Sequence, residues 1–183
     1  MTLKEYREKR RSGRSPEPRG RRRSGLRKHP RFVIQHHAAS TDHYDFRLEI
    51  DGVLVSWAVP KGPSINPKDK RMACPTEDHP MDYEDFEGVI PKGEYGAGRV
   101  IVWDRGTYTS DRDMAEGLER GHLSFRLDGE KLHGGFALTR LRGGKDEAWL
   151  LVKKSDEDAD GRRKPVHSQP ESVRSGRTLD ELS

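Results

Sequence analysis

One run of eight residues, His43 to Ile50, alternates polar and apolar side chains without a break. His43, Asp45, Arg47 and Glu49 fall on one side of an extended chain, and Tyr44, Phe46, Leu48 and Ile50 on the other. Side chains switch faces at every residue only in a β-strand, so this pattern predicts a strand with one buried face. The polar face carries an imidazole and a carboxylate two residues apart, then a guanidinium. These are two kinds of metal ligand and one phosphate fork on a rigid element. Taken alone, the face is either a solvated surface or a site.

The rest of the chain continues in the same style. Short β-type runs punctuated by Gly and Pro predict strands at Arg31–His36, Tyr44–Ile50, Val53–Ala58, Met72–Thr76, Arg99–Arg105, Ser124–Leu127, Phe136–Arg140 and Trp149–Lys153. Asp51-Gly52, between two alternating runs, is a hairpin signal of the type I′ kind. Asp128-Gly129 is a second candidate turn, and Gly143-Gly144 a third. Helical patterns are few: residues 3–11, with Leu3 and Tyr6 on one face, and Asp113–Arg120, with Ser110 or Asp111 as N-cap and Gly121 beyond its end. Many short strands with few helices predict a mainly β fold, a small closed antiparallel β-barrel with one or two short flanking helices. Trp57, Trp103 and Trp149 each sit in a β-type run and are expected in the core.

Charge divides the chain. Residues 1–31 hold 13 Lys/Arg against 3 Glu, a balance of +10, whereas the whole chain is only +4, so residues 32–183 sum to −6. The first segment reads as a basic, partly mobile arm: either a phosphate-contacting arm, with Arg21-Arg22-Arg23 prominent, or a solubilising leader. Residues 32–154 form the barrel domain. Residues 155–183 return to charge and are expected to be a mostly disordered tail. No apolar run reaches the ~20 residues of a membrane span, and the N-terminus lacks the apolar region of a signal peptide. Cys74 is the only cysteine, which excludes an internal disulfide framework and a cysteine-based zinc site. It is expected to be buried and inert, in a reducing cytoplasm.

His37 precedes His43 by six residues, and a short connection can bring it beside His43 and Asp45. Two imidazoles and a carboxylate make a three-ligand set with open positions, suited to Mn²⁺, Zn²⁺ or Fe²⁺. His79, in Glu77-Asp78-His79-Pro80, is a candidate acid or phosphate donor, or else a surface histidine. The glycine-rich stretch 87–98 lacks the order of a nucleotide-binding loop, and its glycines are expected to serve turns.

Together these segments closely resemble a known family. Phe32-Val33-Ile34-Gln35-His36-His37, His43–Asp51, Ser56–Pro63, Glu77–Pro80, Asp82-Tyr83, Phe86–Gly98, Trp103-Asp104, Arg142–Asp146 and Trp149–Lys153 are similar to the 3′-phosphoesterase domain of bacterial DNA ligase D, which also occurs as a freestanding protein. The resemblance runs from about Leu3 to about Lys153. It implies His37, His43 and Asp45 as metal ligands, with Mn²⁺ favoured and Zn²⁺ or Co²⁺ as other candidates. It implies Arg47 as the contact to the scissile phosphate, His79 and Tyr83 as site residues, and Lys61 and Arg71 as basic residues of the same pocket. Arg10 and Glu17 fall on functional positions of an N-terminal element, here Lys9–Pro18.

Two departures stand out. Arg11 replaces an aspartate that contributes to activity in the family, and Ser12 an aromatic. His36 replaces a lysine, and strand alternation turns it away from the face of His37. The implied function is metal-dependent processing of DNA 3′ ends in double-strand break repair: removal of a 3′-terminal ribonucleoside by phosphodiester cleavage, and of a 3′-phosphate. DNA or DNA/RNA 3′ ends are the implied partners, with a DNA ligase D or Ku as further candidates and no membrane. The implied location is cytoplasmic, with the nucleoid. The alternative is a degenerate barrel that binds DNA ends or a ligase without catalysis, and Arg11 and Ser12 are what favour it.

Overall fold

The computed structural model describes residues 3–11, 13–18 and 29–182. Its elements are helix α1 (Lys4–Lys9), strands β1 (Arg31–Ala38), β2 (Asp42–Ile50), β3 (Val53–Val59), β4 (Arg71–Pro80), β5 (Gly88–Ile90) and β6 (Gly98–Thr109), helix α2 (Met114–Arg120), strands β7 (His122–Gly129), β8 (His133–Arg142) and β9 (Ala148–Lys153), and helix α3 (Pro165–Ser168). Short 3₁₀ turns lie at Met81–Asp85, Gly144–Asp146 and Leu179–Glu181. The strands pair in the order β1-β2-β3-β4-β9-β8-β7-β6, and β6 returns to β1. The result is a closed eight-stranded antiparallel barrel, as the pattern of runs predicts. The short β5 is the ninth strand. It pairs with the Gly98–Val100 end of β6, which β7 leaves free because it pairs only from Gly106 onward.

The Asp51-Gly52 hairpin forms as expected. Both residues have positive φ, 51° and 83°, and Ile50 pairs with Val53 across a two-residue turn. This fixes the register of β2 on β3 and sends Tyr44, Phe46, Leu48 and Ile50 inward. There they join one buried cluster containing Phe32, Trp57, Ala73, Trp103, Phe125, Phe136 and Trp149, so every barrel strand contributes to the interior. All three tryptophans are core residues.

A second apolar layer lies on the outer face. Val33, Leu54, Val100 and Val102 point out of the barrel and are covered by Tyr6 of α1, by Met81 and Tyr83 of a 3₁₀ turn, and by Phe86 and Ile90. Here the amphipathic first helix docks, with Tyr6 fully buried. Outward-facing polar residues of β1 and β2 next to this layer are therefore enclosed rather than solvated.

Several expectations need correction. Cys74 is exposed, because Ala73 takes the inward position on β4 and alternation turns its neighbour out. The N-cap of α2 is Asp113, whose side chain accepts from Glu116 N at 3.1 Å, rather than Ser110 or Asp111. Asp128-Gly129 belongs to β7 rather than to a two-residue turn. The chain reverses over 129–132, where Gly129 N donates to Leu132 O. Arg21–Arg23, which belong either to a phosphate-contacting arm or to a solubilising leader, and Ser12 lie outside the described residues.

The charged segment after Lys153 is not loose but lies along the barrel. Val166 packs on the core, Leu179 is buried, and Val173 N donates to Val102 O. Trp103 Nε1 and the buried Lys131 Nζ both donate to Gln169 O at 2.8 Å, and Arg99 Nη1 donates to Leu179 O. The segment is held mainly through its backbone carbonyls, which composition cannot reveal.

Asp104 shows how the barrel fixes its loops. Its buried carboxylate accepts the backbone N–H groups of Glu130, Lys131 and Leu132 at 2.9, 3.1 and 2.9 Å. Gly129 is required beneath it, since a Cβ there would lie 2.5 Å from Asp104 Oδ2. Asp104→Ala strands two buried donors and one partly buried donor and is expected to lower stability by about 3 kcal/mol in denaturant titration. A loss under about 1 kcal/mol would contradict this role.

Candidate active site

The candidate site is an outward-facing cleft of about 330 Å³ between β1, β2, β3 and β4, roofed by residues of the N-terminal segment and of loop 91–97. Antiparallel register builds it. His37 lies directly opposite His43, and Gln35 opposite Asp45, across β1 and β2. Arg47 and Asp45 lie opposite Ser56 and Ala58 across β2 and β3. His79 arrives from the end of β4.

His37, His43 and Asp45 bring one ligand atom each to within 4.8 Å of one another. Backbone carbonyls set both rings. His37 Nε2 lies 2.7 Å from Gly96 O, and His43 Nδ1 lies 3.0 Å from Thr41 O. A carbonyl oxygen only accepts, so these nitrogens carry the protons. The neutral rings then turn His37 Nδ1 and His43 Nε2, both lone pairs, toward Asp45 Oδ2 at 3.7 and 3.2 Å. With both rings neutral, two lone pairs and a carboxylate face one another, a set that can hold a cation; with none bound, a proton on His43 Nε2 takes that place in a hydrogen bond to Asp45 Oδ2. Without a cation, burial lowers the His43 pKa, but the hydrogen bond and charge of Asp45 outweigh it and the net shift is upward. Asp45 itself is buried, which opposes ionisation, yet Arg47 and the two imidazoles hold its pKa far below the usual carboxylate range.

Arg47 is buried and held at all three of its nitrogens. Its Nε donates to Gln35 Oε1 at 2.7 Å, Nη1 donates to Ser56 Oγ at 3.0 Å, and Nη2 lies 3.5 Å from Asp45 Oδ2. Gln35 is anchored in turn by Nε2 donation to Tyr83 O and Phe86 O. The Tyr83 ring lies 4.9 Å from the guanidinium.

His79 Nδ1 lies 2.9 Å from Glu77 O and 3.2 Å from Arg47 Nη1; the shorter contact is to a carbonyl, which only accepts, so the proton is assigned to Nδ1 and Nε2 is left as a lone pair 3.5 Å from Arg10 Nη2. Burial first, then the charges of Arg47 and Arg10, push its pKa well below that of an ordinary imidazole. With its pKa lowered in this way His79 is held neutral, with Nε2 placed to accept a proton.

The N-terminal segment completes the cleft. Arg10 pairs with Glu17 at 3.0 Å and with Glu77 at 3.4 Å, and lies over the Tyr6 ring at 3.9 Å. Tyr83 OH donates to Glu17 Oε2 at 2.5 Å. Burial and the Glu17 charge raise the Tyr83 pKa well above that of a free phenol, so the hydroxyl keeps its proton. Lys9 bridges Glu77 and Tyr95, each at 3.2 Å.

Of the residues singled out from sequence, His37, His43, Asp45, Arg47, His79, Tyr83, Arg10 and Glu17 line this one cleft. Lys61 and Arg71 do not. Lys61 is exposed after β3, and Arg71 pairs with Asp69 at 3.6 Å. Arg11 also lies outside it, exposed and 3.9 Å from Glu8. His36 turns away as expected, stacked on Tyr44 at 4.0 Å. Sequence reasoning missed Gln35, Ser56, Glu77 and Tyr95. Gln35 had a signal, since it shares the strand face of His37. Ser56 had one too, since the Asp51-Gly52 turn sets it opposite Arg47.

Comparison with known proteins finds a family match and close relatives. Residues 35–140 match the family described as DNA Ligase D 3'-phosphoesterase domain. The chain is 55% identical over 185 residues to the multifunctional non-homologous end joining protein LigD of Pseudomonas aeruginosa, covering 97% of this chain and 22% of that protein. It is 44% identical to the LigD of Mycobacterium tuberculosis and 41% identical to that of Mycolicibacterium smegmatis, with 85% of this chain covered in each case against 20% and 21% of those proteins. The chain thus spans about a fifth of the length of these relatives. On the match over 35–140 and these identities, it belongs to the DNA ligase D 3′-phosphoesterase domain family.

Proposed function

We propose that the protein is a metal-dependent hydrolase that trims DNA 3′ ends. It removes a 3′-terminal ribonucleoside by phosphodiester cleavage and then the 3′-phosphate, in double-strand break repair by end joining. The observation that carries this reading is the convergence of three cation-seeking ligand atoms with two arginines and a neutral histidine in one cleft. A divalent cation at His37, His43 and Asp45, with Mn²⁺ the favoured ion, would supply charge neutralisation at a phosphate oxygen. Arg47 is held as a fork by Gln35 and Ser56 and stabilises charge developing on the other oxygens. Arg10 adds a second cation at the rim. His79 can take a proton at Nε2 from the attacking water and return it to the leaving oxygen. Tyr83 keeps Glu17, and through it Arg10, in place.

The site residues belong to a hydrolase rather than a passive binder, and the departure at Arg11 lies outside the cleft. No helix among the described residues is long and apolar enough to cross a membrane. A DNA ligase D or Ku is the proposed protein partner, and the nucleoid the proposed location, on family grounds alone.

The test is a pair of 5′-labelled primer–templates, one ending in a single 3′-ribonucleotide and one in a 3′-phosphate, incubated with Mn²⁺. The wild type should shorten the first and dephosphorylate the second, and His43→Ala should do neither. Inertness of the wild type on both would defeat the proposal and favour the degenerate, end-binding barrel.

Ligand binding requires His43 to be neutral, so protons compete with the metal. Because the His43 pKa is raised, competition begins at a higher pH than for a free imidazole. Mn²⁺ affinity should be constant above that pKa and fall by about tenfold per pH unit below it, with one proton released on binding. Calorimetric titration in buffers of different ionisation enthalpy reads both. Affinity independent of pH through this range would exclude His43 as a ligand.

A further inference from the structure

Resting on the 3′-end reading, we propose that Tyr95 is a stacking platform for the nucleobase nearest the scissile phosphate. Large apolar side chains are exposed at four described positions, Met72, Val89, Tyr95 and Leu141, and of these only Tyr95 lines the cleft. It is 49% exposed, in contrast to the buried Tyr6 and Tyr83 of the same site.

Its position is fixed from both sides. The next residue, Gly96, holds the His37 ring through its carbonyl, so the loop that orients a metal ligand also carries the tyrosine. Glu94 on the other side accepts from Arg14 Nε at 2.8 Å, and the Tyr95 hydroxyl accepts from Lys9. Two turns, Glu94 N to Pro91 O and Ala97 N to Glu94 O, shape the loop, and Gly93 and Gly96 supply its positive φ values of 90° and 75°.

A nucleotide presents an anionic phosphate and an aromatic base at a fixed spacing, and this rim offers a partner for each. Lys9 Nζ and Arg10 lie over the Tyr95 ring, 4.4 and 5.5 Å from its centroid, and share their charge with Glu77 and Glu17, so they border the ring with positive charge that a phosphate can compete for. The part of the half-exposed ring that they leave uncovered offers a π-surface that accepts any base, which suits an enzyme that must process ends of every sequence. Stacking on an aromatic is worth about tenfold in affinity when the ring is removed.

The test measures binding of 3′-phosphate primer–templates by fluorescence anisotropy, with the terminal sugar either bearing its base or abasic. Wild type should prefer the base-bearing end by about tenfold, whichever base it carries. Tyr95→Ala should abolish that preference by weakening only the base-bearing end. Tyr95→Phe, which keeps the ring and loses the hydroxyl, should retain it. No preference in the wild type, an undiminished preference in Tyr95→Ala, or equal weakening of both ends would overturn the assignment. Binding is read without turnover, so inertness toward both 3′ ends would defeat the catalytic reading while leaving this result to stand or fall separately.

Discussion

Asp45→Asn is expected to lower Mn²⁺ affinity on the order of 10³-fold and to abolish 3′-end trimming at ordinary Mn²⁺ concentrations. The substitution keeps shape and removes one full negative charge from the three-residue ligand set. Even at an effective dielectric of about 20, losing a charge in contact with a dication costs several kcal/mol, and each ~1.4 kcal/mol is tenfold. A second cost falls on the apoprotein. Asp45 Oδ2 is the common partner of His43 at 3.2 Å, Arg47 at 3.5 Å and His37 at 3.7 Å. An amide leaves the buried guanidinium without its counter-charge, at about 3 kcal/mol of stability. The sign of the pH dependence follows from the depressed pKa of Asp45. Its stabilising contribution is fully present above the unfolded carboxylate value, about pH 4, and is lost progressively as pH falls below it. Wild type and variant stabilities should therefore converge in acid. Trimming within tenfold of wild type, or an unchanged Mn²⁺ titration, would remove Asp45 from the ligand set.

Arg47→Lys should cost about 10²–10³ in kcat while leaving Mn²⁺ affinity within a few fold. Charge is conserved beside Asp45, so the ligand set keeps its electrostatic setting. What disappears is the fork. Gln35 fixes Nε, Ser56 fixes Nη1 and Asp45 fixes Nη2, and an ammonium on a flexible stem cannot satisfy all three and still present a donor to a phosphate oxygen. Gln35→Leu should reproduce part of the effect, because it frees Nε and unties the guanidinium from the Tyr83 and Phe86 carbonyls. Steady-state kinetics beside calorimetry separate the two readouts. A proportional loss of metal affinity in Arg47→Lys would show that Arg47 acts only through Asp45.

Much of this site was legible because it is built on strand parity and turn register. The alternation at 43–50 sets His43, Asp45 and Arg47 on one face, and the Asp51-Gly52 turn sets Ser56 across from Arg47. What was not legible belongs to the backbone and to long-range packing. The Gly96 carbonyl that fixes His37 comes 59 residues later in the chain and leaves no mark on side-chain pattern. The enclosure of Arg47 depends on α1 and the 81–85 turn folding over the outer face, where alternation alone predicts solvent. The same blindness to carbonyl acceptors made residues 155–182 look disordered. Lys61 and Arg71 show the converse error: family position suggests a pocket, but one side chain is exposed and the other pairs with Asp69.

The most direct test of the metal-dependent 3′-end reading is a metal add-back. Protein stripped with a chelator is given a 5′-labelled primer–template ending in one ribonucleotide, and product is followed as Mn²⁺ is restored. The three-ligand site predicts no trimming without metal and a saturable return of activity, matched by one Mn²⁺ bound per chain. Full trimming by the stripped protein, or no trimming at saturating Mn²⁺, would contradict it.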